Sequence, residues 1–183
     1  MEMDKINVYR MTHIENVPHV LQHGITHKRS QNANLNYITI GDVSLVDTRE
    51  TKKVRVDNGD PWDLNAPCII LGNFIPFYFG VKMPMLYVMQ LGGNFVEQAT
   101  APKDIVYLVC SLRHIILSKS VYYFSDGHGT DSFSTFYDSS RTDALPEILD
   151  WTAIKADYWG GHENLNIKRK KQAELGAAQI FAR

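Results

Sequence analysis

Three groups of side chains have the type and spacing to do chemistry. The first is the basic run Lys168-Arg169-Lys170-Lys171, followed after Gln172-Ala173 by Glu174. Lysine and arginine neutralise phosphate charge and release counterions, so such a run suits a phosphate track. Taken alone, a charge run is more often a solvated face. Tyr158, Trp159 and Asn164 lie just before it, and aromatic rings beside cations are what stacking on unpaired bases requires. Glu174, so close to four cations, is expected to be ionised. Spacing leaves open whether it is an exposed salt-bridge partner or a functional carboxylate. The second group is His19, His23 and His27, spaced four apart. On one continuous helix they would share a face and reach a metal. Gly24 is expected to end that helix before His27, and no cysteine or carboxylate cluster accompanies them, so no metal site is expected. The third is Arg49, within Val46-Asp47-Thr48-Arg49-Glu50, which by default is a surface arginine of a helix.

Other chemistries lack their signatures. No GxGxxG follows a strand and no GxxxxGK[ST] occurs, which leaves dinucleotide-fold and P-loop sites without support. No GxSxG elbow is present, so a hydrolase of that type has none either. The 183 residues fit one domain spanning 1–183, with 44% hydrophobic and 11% aromatic residues, the composition of a globular chain. The formal net charge is −1 and the pI about 6.6, so any nucleic-acid contact has to come from local patches rather than a basic whole. Cys68 and Cys110 form no CxxC pair, which makes a reducing cytoplasm the expected compartment. The N-terminus carries no signal-like apolar region, and the run Ile105 to Cys110 is far too short to cross a bilayer. A soluble, cytoplasmic protein without membrane contact is expected.

The elements that must position these groups are short. Asn7 to Met11 is predicted as a strand. A helix follows, with Asn16 as N-cap, Pro18 in its first turn and Gly24 as its stop. Residues 28 to 41 read as a polar loop. Asp42 caps a second helix through about Lys53, and residues 57 to 67 form another loop, long enough to suggest function. Phe74 to Phe79 is β-prone, with Pro76 arguing for an edge or a bulge. Met85 to Leu91 reads as a helix ended by Gly92-Gly93, Ile105 to Cys110 as a buried strand, and Val121 to Phe124 as a strand running into the turn Ser125-Asp126-Gly127-His128-Gly129. Asp150 caps a helix carrying Trp151, Ile154 and Tyr158, and Leu165 to Ala173 is a basic segment. Short strands mixed with short helices make an α+β chain.

Several segments together resemble the DarT family of DNA ADP-ribosyltransferases. They are Tyr9-Arg10-Met11-Thr12-His13-Ile14-Glu15-Asn16, Gly41-Asp42 through Arg49, Phe74 through Gly80, Met83-Pro84-Met85-Leu86-Tyr87, Tyr123 through His128, and Lys170-Lys171-Gln172-Ala173-Glu174. Each is weak alone; all of them in this order across nearly the whole chain are specific. The resemblance implies an ADP-ribosyltransferase-like fold, a split central β core with surrounding short helices and a cleft for NAD as co-substrate. It makes Arg49 and Glu174 the essential pair. Departure of nicotinamide leaves positive charge at the ribose C1′, which a carboxylate can stabilise while orienting the sugar, and an arginine can neutralise phosphate oxygens. The resemblance also gives this arginine a part in removing a proton from the target base, a demanding role for a group with pKa above about 12.

By the same resemblance, Arg10, Thr12, His13 and Asn16 belong to the NAD site, and Tyr78, Met85 and Tyr87 to its aromatic wall, where core packing is the alternative for either tyrosine. His128 lies in the segment resembling the family's substrate-recognition element and, with Tyr158, Trp159, Lys168, Arg169 and Lys170, is expected near DNA. A base modified on its Watson–Crick edge must be unpaired, which implies a single-stranded substrate. The segments Ile40-Gly41-Asp42 and Asp126-Gly127-His128 resemble the thymidine branch more than the guanosine one. A macrodomain antitoxin of the DarG type is the implied partner. In the family an apolar strand follows the glutamate. Here nine residues remain after Glu174, and Gly176 falls where it should weaken that strand. The same fold acting on protein or RNA, or merely hydrolysing NAD, is one alternative, and an inactive module binding single-stranded DNA is another.

Overall fold

The computed structural model describes residues 3–57, 60, 62–92, 96 and 98–178. Residues 58, 59, 61, 93 and 179–183, which belong to the expected 57–67 loop, the Gly92-Gly93 stop and the chain end, lie outside the described residues. Eight strands make one sheet: β1 (Asn7–His13), β2 (Lys53–Asp57), β3 (Cys68–Ile70), β4 (Ile75–Tyr78), β5 (Ile105–Ser111), β6 (Tyr122–Ser125), β7 (Phe136–Asp138) and β8 (Glu174–Ala177), in the order β3-β2-β7-β6-β8-β4-β1-β5. Among the described residues, seven α-helices surround it: α1 (Val17–His23), α2 (Val43–Thr51), α3 (Pro84–Leu91), α4 (Leu112–Leu117), α5 (Leu145–Ile148), α6 (Trp151–Lys155) and α7 (Leu165–Lys171). The α+β expectation is met.

β8, the last of the described strands, joins two groups of strands, pairing antiparallel with β4 on one side and β6 on the other. Side chains alternate across a strand. In β8, Leu175 and Ala177 enter the main core with Phe77 of β4 and Phe124 of β6, beneath Leu112 and Ile115 of α4 and Ile154 of α6. Glu174 and Tyr78, which face one another in register, take the opposite face. A smaller cluster there, Met11, Ile40, Tyr78, Met83 and Met89, packs α3 onto the sheet.

The helix boundaries follow the sequence signals. Gly24 and Gly92 end α1 and α3 with φ of 76° and 70°, values that favour glycine. Asp42 caps α2, its carboxylate accepting the N–H groups of Ser44 and Leu45 at 2.9 and 3.2 Å.

Several expectations are corrected. Pro76 lies inside the sheet, not at an edge, between β8 and β1. That position tolerates it because β1 and β4 meet at a single pair, Tyr9–Tyr78, and the Pro76 carbonyl instead accepts the Arg10 guanidinium at 3.0 Å. Ile105 to Cys110 is the sheet's edge rather than a buried strand, and Val109 is 59% exposed. Asn16 occupies the cap position of α1 without capping it; its amide is spent elsewhere. The helix after Asp150 ends at Lys155, so Tyr158 lies beyond it. There the buried Lys171 ammonium donates to the carbonyls of Ile154 and Ala156 at 2.8 and 2.6 Å and satisfies the helix end. Finally, β8 forms with Gly176 inside it, opposite Pro76 and Tyr123. A β-carbon there would meet Phe74 Cβ at 3.0 Å, so the base of that side chain occupies the space another would need.

Candidate active site

A cleft of about 320 Å³ opens on the face of the sheet that carries Tyr78 and Glu174; Arg10, Thr12, Asn16, Tyr37, Arg49, Tyr78, Met85 and His128 are among its lining residues. The volume falls within the range of small-molecule sites. Arg49 reaches it from the last turn of α2. Its Nη1 donates to both oxygens of Glu174, at 2.9 and 2.8 Å. The pair is largely desolvated, with side-chain exposures of 14% and 3%. Among the described residues, Nη2 and Nε of Arg49 have no protein acceptor, so that edge of the guanidinium is available to an anion. Burial, the largest influence, pulls the arginine's pKa down, but the charge of Glu174 and the hydrogen bonds to it hold it above its ordinary value. Arg49 is therefore a permanent cation.

The Tyr78 phenol donates to Met85 Sδ at 3.7 Å. Burial, followed by the Glu174 carboxylate, raises its pKa far above the usual value, so it stays a neutral hydroxyl. Gly129 lies against the carboxylate: a β-carbon there would fall 1.8 Å from Glu174 Oε1 and 2.9 Å from Arg49 Nη1. The loop through His128 thus closes over the ion pair because residue 129 has no side chain.

The N-terminal segment organises a second part of the lining. Arg10 donates to Pro76 O at 3.0 Å and to the Tyr37 hydroxyl at 3.4 Å. Burial raises the Tyr37 pKa, but Arg10 and then Thr12 bring it below the usual phenol value overall. The buried Asn16 amide donates to Thr12 Oγ1 at 3.0 Å and to Ile38 O at 2.8 Å, and accepts from Ile38 N at 2.9 Å. Thr12 and Asn16 therefore pin the 34–38 segment at the cleft, and this is why Asn16 is not free to cap α1.

A family model described as "ssDNA thymidine ADP-ribosyltransferase, DarT" matches residues 9–175. The chain belongs to the DarT family. A DNA ADP-ribosyl transferase from Thermus sp. (strain 2.9) is 30% identical over 176 residues, covering 95% of this chain and 75% of that protein. A fusion of a DNA ADP-ribosyl transferase with a DNA ADP-ribosyl glycohydrolase from Thermosipho africanus is 27% identical over 168 residues, 91% of this chain and 37% of the fusion. Two solved structures of Thermus sp. 2.9 DarT, one in complex with ADP-ribosylated ssDNA and one with NAD+, superpose with TM-scores of 0.75 and 0.69. Each is 28% identical, over 96% of this chain and 76% of the other. With the family comes the reaction class, that of an NAD-dependent DNA ADP-ribosyltransferase.

In this DarT-family chain not every expected residue meets in the cleft. Arg10, Thr12, Asn16, Tyr78, Met85, Arg49 and His128 line it, and Glu174 is bonded to the lining Arg49. His13 does not line it; its ring instead accepts the Glu15 N–H at 3.2 Å at the start of a short turn. Tyr87 lies on α3 outside the cleft lining and is 60% exposed.

The basic run does not present four cations to a ligand. Arg169 is turned inward, donating to Asp126, the Phe133 carbonyl and Ser134 at 3.1–3.4 Å. Lys170 pairs with Asp150 at 3.2 Å, and Lys171 is buried with its Nζ 5.5 Å from the centre of the Trp159 ring. Lys168 and Tyr158 remain exposed. Arg169 therefore braces the 126–134 loop. The histidines at 19, 23 and 27 are divided by Gly24: the His27 Nε2 bonds the Gly72 carbonyl at 2.5 Å, and His19 contacts the Thr26 hydroxyl at 3.3 Å.

Sequence reasoning missed Tyr37 and Gly129. Tyr37 sits in a stretch without periodicity, and Gly129 reads as one more turn glycine. Phe133, 84% exposed on the braced loop, was also passed over, since a lone exposed aromatic carries no pattern.

Proposed function

We propose that the chain transfers ADP-ribose from NAD to thymine in single-stranded DNA, and that it acts as a toxin paired with a macrodomain antitoxin. The observation that carries the reading is the desolvated Arg49–Glu174 pair beside a cleft that Arg49 and Arg10 both line. Two guanidinium groups suit the diphosphate of NAD, and Tyr37, Tyr78 and Met85 offer ring-packing surface to its flat ends. Glu174 is assigned the ribose. Its carboxylate orients the hydroxyls and stabilises positive charge at C1′ as the bond to nicotinamide breaks and its electron pair leaves with that ring. Arg49 is assigned the phosphates, a role its fixed charge fits. The acceptor bonds to C1′ through the nitrogen of its Watson–Crick edge and gives up that nitrogen's proton; only an unpaired base exposes this edge. The thymine choice follows the wording of the family description, and the antitoxin follows the fusion partner of the Thermosipho relative.

The test is mass spectrometry of a mixed-sequence single-stranded oligonucleotide, with a duplex control, after incubation with NAD and the protein. A gain of one ADP-ribose on the single strand alone, located on thymine by fragmentation, is expected. Glu174→Gln should lower the rate at least about a hundredfold. Nicotinamide release without any gain on DNA would overturn the acceptor. Arrested growth on expression, relieved by Glu174→Gln and by a co-expressed DNA ADP-ribosyl glycohydrolase, is the expected phenotype; unimpeded growth would remove the toxin role.

A further inference from the structure

The loop between β6 and β7 meets the ion pair through a residue without a side chain. A β-carbon on Gly129 would lie 1.8 Å from Glu174 Oε1 and 2.9 Å from Arg49 Nη1. So close an approach requires the loop to be held in one place. Much of its bonding is internal. The His128 carbonyl accepts the Asp131 N–H and the Ser134 hydroxyl at 3.0 and 2.8 Å. The Asp131 carboxylate accepts the Phe133 N–H at 2.8 Å, and Thr130 Oγ1 lies 2.8 Å from His128 Nδ1. Bonds of this kind shape the loop but do not set its distance from Glu174.

Two cations from outside the loop do. Lys52 Nζ donates to the Thr130 carbonyl at 2.5 Å, one residue past Gly129. The backbone of Lys52 is itself fixed, its N–H on Thr48 O at 3.2 Å and its carbonyl on the Leu71 N–H at 3.0 Å. From the other side, Arg169 Nη1 donates to the Phe133 carbonyl at 3.1 Å, to the Asp126 carboxylate at 3.3 Å and to Ser134 Oγ at 3.4 Å. The Arg169 carbonyl accepts the His128 N–H at 3.1 Å. Its guanidinium also fills the space beside Gly127, where a β-carbon would fall 2.6 Å from Nη1. Lys52 stands three residues after Arg49, and Arg169 five before Glu174. Each cation is thus carried by the segment that supplies one member of the ion pair, and the loop is registered on both at once. Hydrogen bonds from charged donors are the stronger ones.

We propose that Lys52 and Arg169 are positioning residues that keep this loop closed on Glu174, so that C1′ is captured by the base and not by water. The inference rests on the reaction assigned above and concerns its competitor. When nicotinamide leaves with the bonding electron pair, C1′ bonds either to the base nitrogen, giving ADP-ribosylated DNA, or to a water oxygen, giving free ADP-ribose. Each route releases one proton. A loop seated against the carboxylate that holds the ribose excludes water from the charged centre. Neither cation is assigned a contact with NAD or with the base; both act through backbone carbonyls of the loop.

The test follows nicotinamide release and ADP-ribose on a single-stranded oligonucleotide in one reaction, for the wild-type chain, Lys52→Met and Arg169→Met. The quantity read is bases modified per nicotinamide released. It does not depend on how much of the chain is folded, so a variant that is merely unstable leaves it unchanged. Saturating oligonucleotide keeps a loss of DNA affinity from lowering it. In both variants it is expected to fall about tenfold, the worth of one charged hydrogen bond. Free ADP-ribose should make up the difference, and NAD affinity by calorimetry should be retained. A ratio unchanged in either variant, or transfer and nicotinamide release lost together, would overturn the proposal. A wild-type chain that releases nicotinamide without modifying DNA would overturn the reaction itself, a failure visible before any variant is made.

Discussion

Glu174 shares its position with a missing atom. Gly129 leaves the space in which Oε1 sits, and the separation of 1.8 Å from a hypothetical β-carbon is far below any real contact. Gly129→Ala must therefore push the carboxylate or the loop aside. Backbone strain plays no part, because Gly129 does not have a positive φ. The expected outcome is a loss of transfer of at least about a hundredfold, with NAD binding weakened much less. Comparing kcat/KM with calorimetric NAD affinity checks it; unimpaired turnover would mean the loop is free to retreat. Residues of this kind explain why the site was only half legible in the sequence. Arg49 and Glu174 each look like ordinary surface charges, and 125 residues separate them. Only the resemblance singled them out, whereas their mutual bond, the Gly129 contact and the pinning of Tyr37 depend on tertiary neighbours that no spacing encodes.

α2 carries the arginine, yet none of its residues is buried. A helix without a buried stripe is held by its ends and its side contacts. Here these are the Asp42 cap, the Arg49–Glu174 bond, the Glu50 bridges, and Gly72, where a β-carbon would lie 2.6 Å from Glu50 Cα. Asp42→Ala should cost about 1 kcal/mol of stability and lower activity by more than that loss predicts, because the cap aims Arg49. Chemical denaturation and kcat/KM measured together check it; activity falling only in step with stability would make the cap structural alone. Caps and glycine stops were the most legible features of the fold, since one or two residues write each of them. The strands β2, β3 and β7, with three to five residues each, were not read, because pairing rather than composition defines a strand that short. For the same reason an edge place for Pro76 and a buried place for the Ile105–Cys110 run were both misassigned. Neither prolines nor apolar runs reveal which neighbours a strand will have.

At the scale of the molecule, charge is local. The net value is −1, and three of the four cations in the basic run are occupied inside the protein. Binding of single-stranded DNA should therefore depend weakly on salt. A slope of log affinity against log salt no steeper than about −1.4, the worth of two contacts, is expected, against about −2.8 for four. A titration by fluorescence anisotropy between low and moderate salt checks it, and the steeper slope would mean that Arg169 and Lys170 leave their acidic partners for the nucleic acid. The position of β8 has a kinetic side. The sheet is completed only when a strand from late in the chain enters between β4 and β6, and that strand carries Glu174. Such long-range closure belongs to slow-folding topologies, and synthesis itself delivers only about 5–20 residues per second. The carboxylate meets its arginine only as β8 pairs with β4 and β6, so transfer activity is expected to appear no earlier than the completed sheet, a lag that a refolding experiment with both readouts measures.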